Sequence, residues 1–122
     1  MTLQELYTNI GGDFEQATRV LRVEKLIDKH IRKFAGNPIF ERLFAATESM
    51  DATELFESTH AIKGVCSNLG LTNLAALASD VTEEYRPGNT RKLSDEEVKA
   101  KLAALKEGYE KTIEGIKAYT AE

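Results

Sequence analysis

One cysteine, Cys66, and two prolines are all that this chain of 122 residues contains of either type. A single thiol rules out an internal disulfide framework and a multi-cysteine zinc site, and it fits a reducing compartment. Two prolines and eight glycines are too few for a collagen-like chain or a loop-rich β-sandwich. Positive charge is not in excess: 16 basic and 20 acidic side chains leave a net charge of −4. A sequence-independent grip on nucleic acid needs a basic face, so that class of function is excluded. Residues 51–122 carry the imbalance, with thirteen acids to nine bases, against seven of each in residues 1–50. Neither part has a basic run, which argues against a membrane-surface role. No segment has the roughly 18 apolar residues that a membrane span needs. The opening residues, Met1 to Leu6, have neither a basic flank nor a long apolar stretch and do not form a signal peptide. A cytoplasmic protein is expected. Met1 at a plausible helix start leads us to expect a complete, free-standing chain of one domain, residues 1–122.

What is present is a globular composition, 42% apolar and 30% charged, in a chain long enough to bury a core without staples. No run of Val, Ile, Thr and aromatics alternates with period two, so no strand is expected. Apolar residues recur at three and four, the helical period. There is no internal repeat, low-complexity tract or flexible linker.

Seven helices follow from this period and its punctuation. The first runs from about Thr2, a plausible N-cap, to Asn9, and Gly11-Gly12 stops it. The second starts after Asp13, with Phe14, Ala17 and Leu21 on one face. The third starts near Arg22, with Val23, Ile27, Ile31 and Phe34 as its stripe. At about 100° per residue the centres of these two stripes lie nearly opposite, which places a bend or break near Arg22. The fourth opens at Asn37-Pro38, an N-cap followed by proline at the first helical position, with Ile39, Phe40, Leu43 and Phe44 as its apolar face. The fifth opens at Asp51, with Glu54 three residues on as in a capping box, and runs to Leu69. Gly70 fits the left-handed position that ends it. The sixth starts at Thr72, carries Leu74, Leu77, Val81 and Tyr85, and ends before Pro87-Gly88. The seventh opens with the capping box Ser94-Asp95-Glu96-Glu97 and carries Val98, Leu102, Leu105, Tyr109, Ile113 and Ile116.

Short connections make long amphipathic helices antiparallel neighbours. The expected fold is therefore all-α: an up-down antiparallel four-helix bundle of helices three (with four), five, six and seven. The short extra N-terminal helices would cover one end. The seventh stripe is nearly heptad, but a bundle core accounts for it, and a monomer is expected.

The chemistry concentrates on the fifth helix. Its core stripe is Leu55, Thr59, Ile62, Cys66 and Leu69. With Leu55 at zero, His60 falls at about 140°, Gly64 at about 180°, Ser67 at about 120° and Lys63 at about 80°. His60 thus points away from the core, with Lys63 on its flank and Gly64 one turn ahead. Glycine in a helix interior costs roughly 1 kcal/mol against alanine. On an outward face it suggests that something must approach the backbone closely. A lysine one turn from a histidine could place a point charge beside a phosphoryl group on the imidazole. Pairing helices five and six about a turn near Leu71 sets Thr82 level with His60 and Arg86 about one turn away. His60, Lys63, Ser67, Thr82 and Arg86 should then share one surface. Phe56, at about 100° on that side, would offer a docking partner an apolar contact.

His60-Ala61-Ile62-Lys63-Gly64 followed by Leu69-Gly70 resembles the signature of histidine-containing phosphotransfer (HPt) domains. In that family His-x-x-Lys-Gly sits on the middle hairpin of a four-helix bundle. The likeness is strongest over residues 51–88; elsewhere it rests on architecture. The resemblance implies that His60 accepts a phosphoryl group from the aspartyl phosphate of a receiver domain and passes it to another receiver. The chain would be a phosphocarrier with a phosphohistidine intermediate, not a turnover enzyme. Lys63 would compensate charge and Gly64 would allow close docking. It would need no cofactor of its own, and Mg²⁺ would come with the receiver, in a response regulator or hybrid sensor kinase. Val65 and Cys66 stand where the family often has small residues; both fall at or near the core stripe, so the departure reads as a packing change. A neutral imidazole is a competent nucleophile, because an unperturbed histidine titrates near 6.5. Phosphoryl transfer asks mainly for alignment and charge stabilisation.

Plainer roles remain for most of these residues. Gly64 would also suit a close helix contact, and Phe56 burial between helices. Arg86 would also suit the C-terminal end of the sixth helix. Ser67 and Thr82 could be polar boundary residues. His30 reads as a boundary histidine of the third helix with no metal-site spacing around it, and Cys66 as a small buried hydrophobe. Glu83-Glu84 look like a solvated face. The alternative function is a non-transferring adaptor that binds a signalling partner through the same face.

Overall fold

The structure is a computed structural model that describes residues 1–121. Its elements are α1 (Leu3–Ile10), α2 (Phe14–Leu21), α3 (Glu24–Phe34), α4 (Ile39–Ser49), α5 (Ala52–Asn68), α6 (Thr72–Tyr85) and α7 (Asp95–Thr120). Among the described residues there is no strand, and no helix is long and apolar enough to cross a membrane.

The helices begin where side chains can satisfy their first N–H groups. The Thr2 hydroxyl accepts from the Glu5 N–H at 3.1 Å, and the Glu5 carboxylate accepts from the Thr2 N–H at 2.9 Å. Ser94 and Glu97 repeat that reciprocal box at the start of α7. Asp13 caps α2 through the Gln16 N–H. Asn37 caps α4 through the Ile39 N–H at 3.0 Å, with Pro38 already in helical conformation. At Asp51 the expected box is only half made. Asp51 accepts from the Glu54 N–H, but the Glu54 carboxylate turns away to pair with Arg42 of α4 at 2.7 Å. A charged partner in the neighbouring helix outcompetes a backbone N–H.

The chain breaks between α2 and α3 at Arg22, whose φ of 71° and ψ of −46° lie outside the helical region. That break sets the two apolar stripes in phase with the core. It also moves Val23 out of the expected stripe: Val23 is the extended residue before α3 and is 52% exposed.

α5 and α6 form the antiparallel hairpin at the centre of the bundle; α4 lies beside α5, and α7 beside α6. α3 and α4 together make the fourth column. Phe34 meets Phe40 edge-on at 5.2 Å, and Tyr109 of α7 stacks on Phe40 at 4.1 Å, closing the bundle. Ile27, Ile31, Phe34, Phe40, Leu55, Ile62, Val81, Val98, Leu105 and Ile116 are buried in the shared core. Each such side chain contributes roughly 1.5–3 kcal/mol. On α7 the stripe is interrupted, since Tyr109 and Ile113 are half-buried and Thr112 is buried between them.

The short helices lock the end where α5 turns into α6. α1 lies on α7, and α2 against α3 and α5. The buried Tyr7 hydroxyl donates to the Leu69 carbonyl at 2.6 Å. The Asp13 N–H donates to the Gly70 carbonyl at 2.7 Å. Gly70 has a φ of +70°, and a Cβ there would sit 2.1 Å from the Asp13 carbonyl oxygen. Only glycine allows both the turn and the approach.

Candidate functional site

The outward face of α5 is open where its other faces are packed. His60 and Gly64 are exposed, while Phe56, Lys63 and Ser67 are half-buried. A Cβ built on Gly64 would meet nothing within 4 Å. The reading of Gly64 as a close helix contact is thereby overturned: among the described residues nothing uses the missing side chain.

Around His60 the structure assembles a small stack. The Phe56 ring lies 5.7 Å from the imidazole, centroid to centroid, and only 18° from parallel. The i, i+4 spacing on one helix brings the two rings together. Arg86, reaching back from the end of α6, sets its guanidinium 5.4 Å from the Phe56 centroid. The same guanidinium donates to the Glu83 carboxylate, from Nη2 to Oε1 at 2.9 Å and from Nε to Oε2 at 3.0 Å and Oε1 at 3.2 Å. Asn89 donates to the Glu83 backbone carbonyl at 3.0 Å. The Arg86 guanidinium, and after it the Lys63 ammonium, holds the Glu83 carboxyl below the usual carboxylate range. His60, Phe56, Lys63, Glu83 and Arg86 thus form one electrostatic neighbourhood across α5 and α6.

Thr82 does not join this face. It is fully buried, and its hydroxyl lies 2.9 Å from that of Thr59 and 2.8 Å from the Ala78 carbonyl. Helical phase alone placed it at the edge of the surface. The close approach of α5 and α6 draws it into their seam instead, where Thr59 accepts from Thr82 and itself donates to the Leu55 carbonyl.

The pair Glu83-Glu84 is not one solvated face either. Glu83 is exposed, but the Glu84 side chain is 4% exposed. It accepts from Arg91 Nε at 2.6 Å and from the Lys92 and Leu93 N–H groups at 3.1 and 3.0 Å, tying down the α6–α7 loop. Burial pushes the Glu84 carboxyl up, and these donors more than offset it, so the group is held below its ordinary range. The sequence reading missed both roles. The Glu83/Arg86 spacing of three was a visible signal on a helix; nothing local marked Glu84.

His30 lies on α3, at the rim of a groove of about 230 Å³ shared with Lys33, Val65 and Asn68. Cys66 is buried and its thiol is pushed up to about 12 by desolvation, so it is a packing residue and no nucleophile. Among the described residues no three His, Cys, Asp or Glu side chains converge into a metal site.

A family model, the Hpt domain, matches residues 3–112. The match takes in the N-terminal helices and most of α7, well beyond the hairpin that carries the motif. No curated protein and no solved structure matches the chain.

Proposed function

The chain belongs to the Hpt domain family, and from that premise we propose that His60 is its phosphoacceptor. The family's general role is histidine phosphotransfer in phosphorelays, as phosphocarriers that engage receiver domains. The finer reading is that this chain takes the phosphoryl group from one receiver's aspartyl phosphate and delivers it to a second receiver. The observation that carries it is the open Gly64 one turn ahead of the exposed His60. A mid-helix glycine costs roughly 1 kcal/mol, and among the described residues no contact repays it. Close approach by another protein would.

In the proposed step the unprotonated imidazole nitrogen of His60 attacks the phosphorus of the acyl phosphate. A P–N bond forms and the P–O bond to the aspartyl carboxyl breaks. The electron pair leaves on that carboxylate. The other ring nitrogen keeps its proton or releases it to water. Return transfer runs the same bonds in reverse. Lys63 balances the negative phosphoryl oxygens. Phe56 keeps the imidazole face covered and, with Ser67 and Arg86, makes the docking rim. Thr82 acts beneath it as a spacer in the seam. Mg²⁺ belongs to the receiver's half of the encounter in this proposal. In this proposal the protein acts as a monomer in the cytoplasm.

The test is phosphoryl transfer from a receiver loaded with a small-molecule phosphodonor, read by intact mass and by acid lability. Wild type should gain an acid-labile adduct that His60→Gln lacks. An adduct that persists in His60→Gln would move the site and sink the assignment. Binding to a receiver by both forms, with transfer by neither, would favour the adaptor.

A further inference from the structure

Glu83 pairs with Arg86, the cation at the edge of the His60 face. Its carboxylate accepts from Arg86 Nη2 and Nε, and Asn89 of the following loop donates both to its backbone carbonyl at 3.0 Å and to its Oε2 at 3.4 Å. Arg86 in turn lies over Phe56, and Phe56 lies against the His60 imidazole. The guanidinium carbon lies 5.4 Å from the Phe56 centroid, and that centroid lies 5.7 Å from the centroid of the acceptor ring. An arginine side chain re-aims its guanidinium by changing rotamers. Lys63 is the second cation whose charge reaches Glu83. The pair is half-exposed, 38% for the Arg86 side chain and 50% for Glu83. An exposed ion pair of this kind is held weakly and is easily exchanged.

We propose that Glu83 is a positioning residue for phosphotransfer: an internal counter-anion that holds Arg86 while His60 is free and is displaced when His60 is phosphorylated. This rests on the reading of His60 as the acceptor. The phosphoryl group carries more charge than a carboxylate and three acceptor oxygens, so it can take Arg86 from Glu83. Glu83 exchanges no proton and forms no bond to phosphorus; it only gives up and reclaims the guanidinium. The consequence is thermodynamic. Competition from Glu83 lowers the free energy gained on loading His60, and a carrier that must also unload benefits from a group held loosely.

The experiment measures how the phosphoryl group divides at equilibrium between one receiver and His60, by intact mass of both proteins. Glu83→Gln should shift the division toward His60 by about two- to fivefold. The shift should shrink at high salt and fall below about twofold in an Arg86→Ala background. Glu83→Asp, which keeps the charge, should stay near wild type. Glu110→Gln, which removes one distant exposed acid from α7, should change nothing. An unchanged division in Glu83→Gln, with His60 loading normally, overturns the inference and leaves the acceptor reading intact. A lowered melting temperature without a shift in the division assigns Glu83 a structural role only and also overturns it. An adduct that persists in His60→Gln sinks the acceptor reading, and the inference with it.

Discussion

Gly64 and Gly70 lie on the same hairpin, and a methyl group added to each would meet opposite surroundings. At Gly70 it would collide with the Asp13 backbone, from a residue already at positive φ. At Gly64 it would enter open space. One glycine is required by the fold; the other is a cost that the fold does not recover. The same division separates two neighbouring acids. Glu84 is buried and ties the α6–α7 loop, while Glu83 is exposed and pairs with a cation beside His60. One end and one side of the hairpin are locked by α1, α2 and the loop, and the His60 face is left free. A site that must be entered by another protein has to sit where the molecule is not already in contact with itself.

The sharpest way to break this comparison is to exchange what each glycine tolerates. Gly70→Ala should cost roughly 2–4 kcal/mol in urea unfolding, from left-handed strain plus a backbone clash; a loss under 1 kcal/mol would mean the α1–α2 lock is soft. Glu84→Gln should cost about 1–2 kcal/mol at neutral pH, because a charge-assisted set of bonds is weakened. The sign of its pH dependence follows from the lowered carboxyl. The stabilisation is complete above the ordinary value of 4.5 and is lost as pH falls through the lower folded value. Wild type and Glu84→Gln should therefore converge in stability below that range; parallel curves would contradict it. Tyr7→Phe removes the donor to the Leu69 carbonyl, which is buried, and should cost about 1 kcal/mol in the same assay. The smallest effect on stability has the opposite sign. Gly64→Ala should gain up to about 1 kcal/mol while lowering the rate of transfer from a receiver. Gain of stability with undiminished transfer would remove Gly64 from the proposed docking face.

The boundaries of the helices were legible because caps are local. Thr2, Asp13, Asn37, Asp51 and Ser94 each act within three residues of themselves. The break at Arg22 was legible from phase, since two stripes on opposite sides cannot both face one core. The outward direction of His60 and Gly64 followed from the same phase argument, as did the burial of Cys66. Phase was insufficient for Thr82, which lies near the boundary angle where the distance between two helices decides burial. It was insufficient for Glu54, whose capping bond lost to Arg42, a residue on another helix.

By itself the amino-acid order determined which segments are helical, which stripe of each is apolar and which histidine faces outward beside a glycine. These are consequences of a 100° step per residue and of side chains that reach only their own turn. Tertiary structure alone decided that Gly64 has open space above it while Gly70 touches α2. It also decided that Thr82 closes a seam and that Glu84 ties a loop. Each of those outcomes depends on the separation of two elements distant in the chain, and burial and charge pairing change sharply over one or two ångströms of that separation.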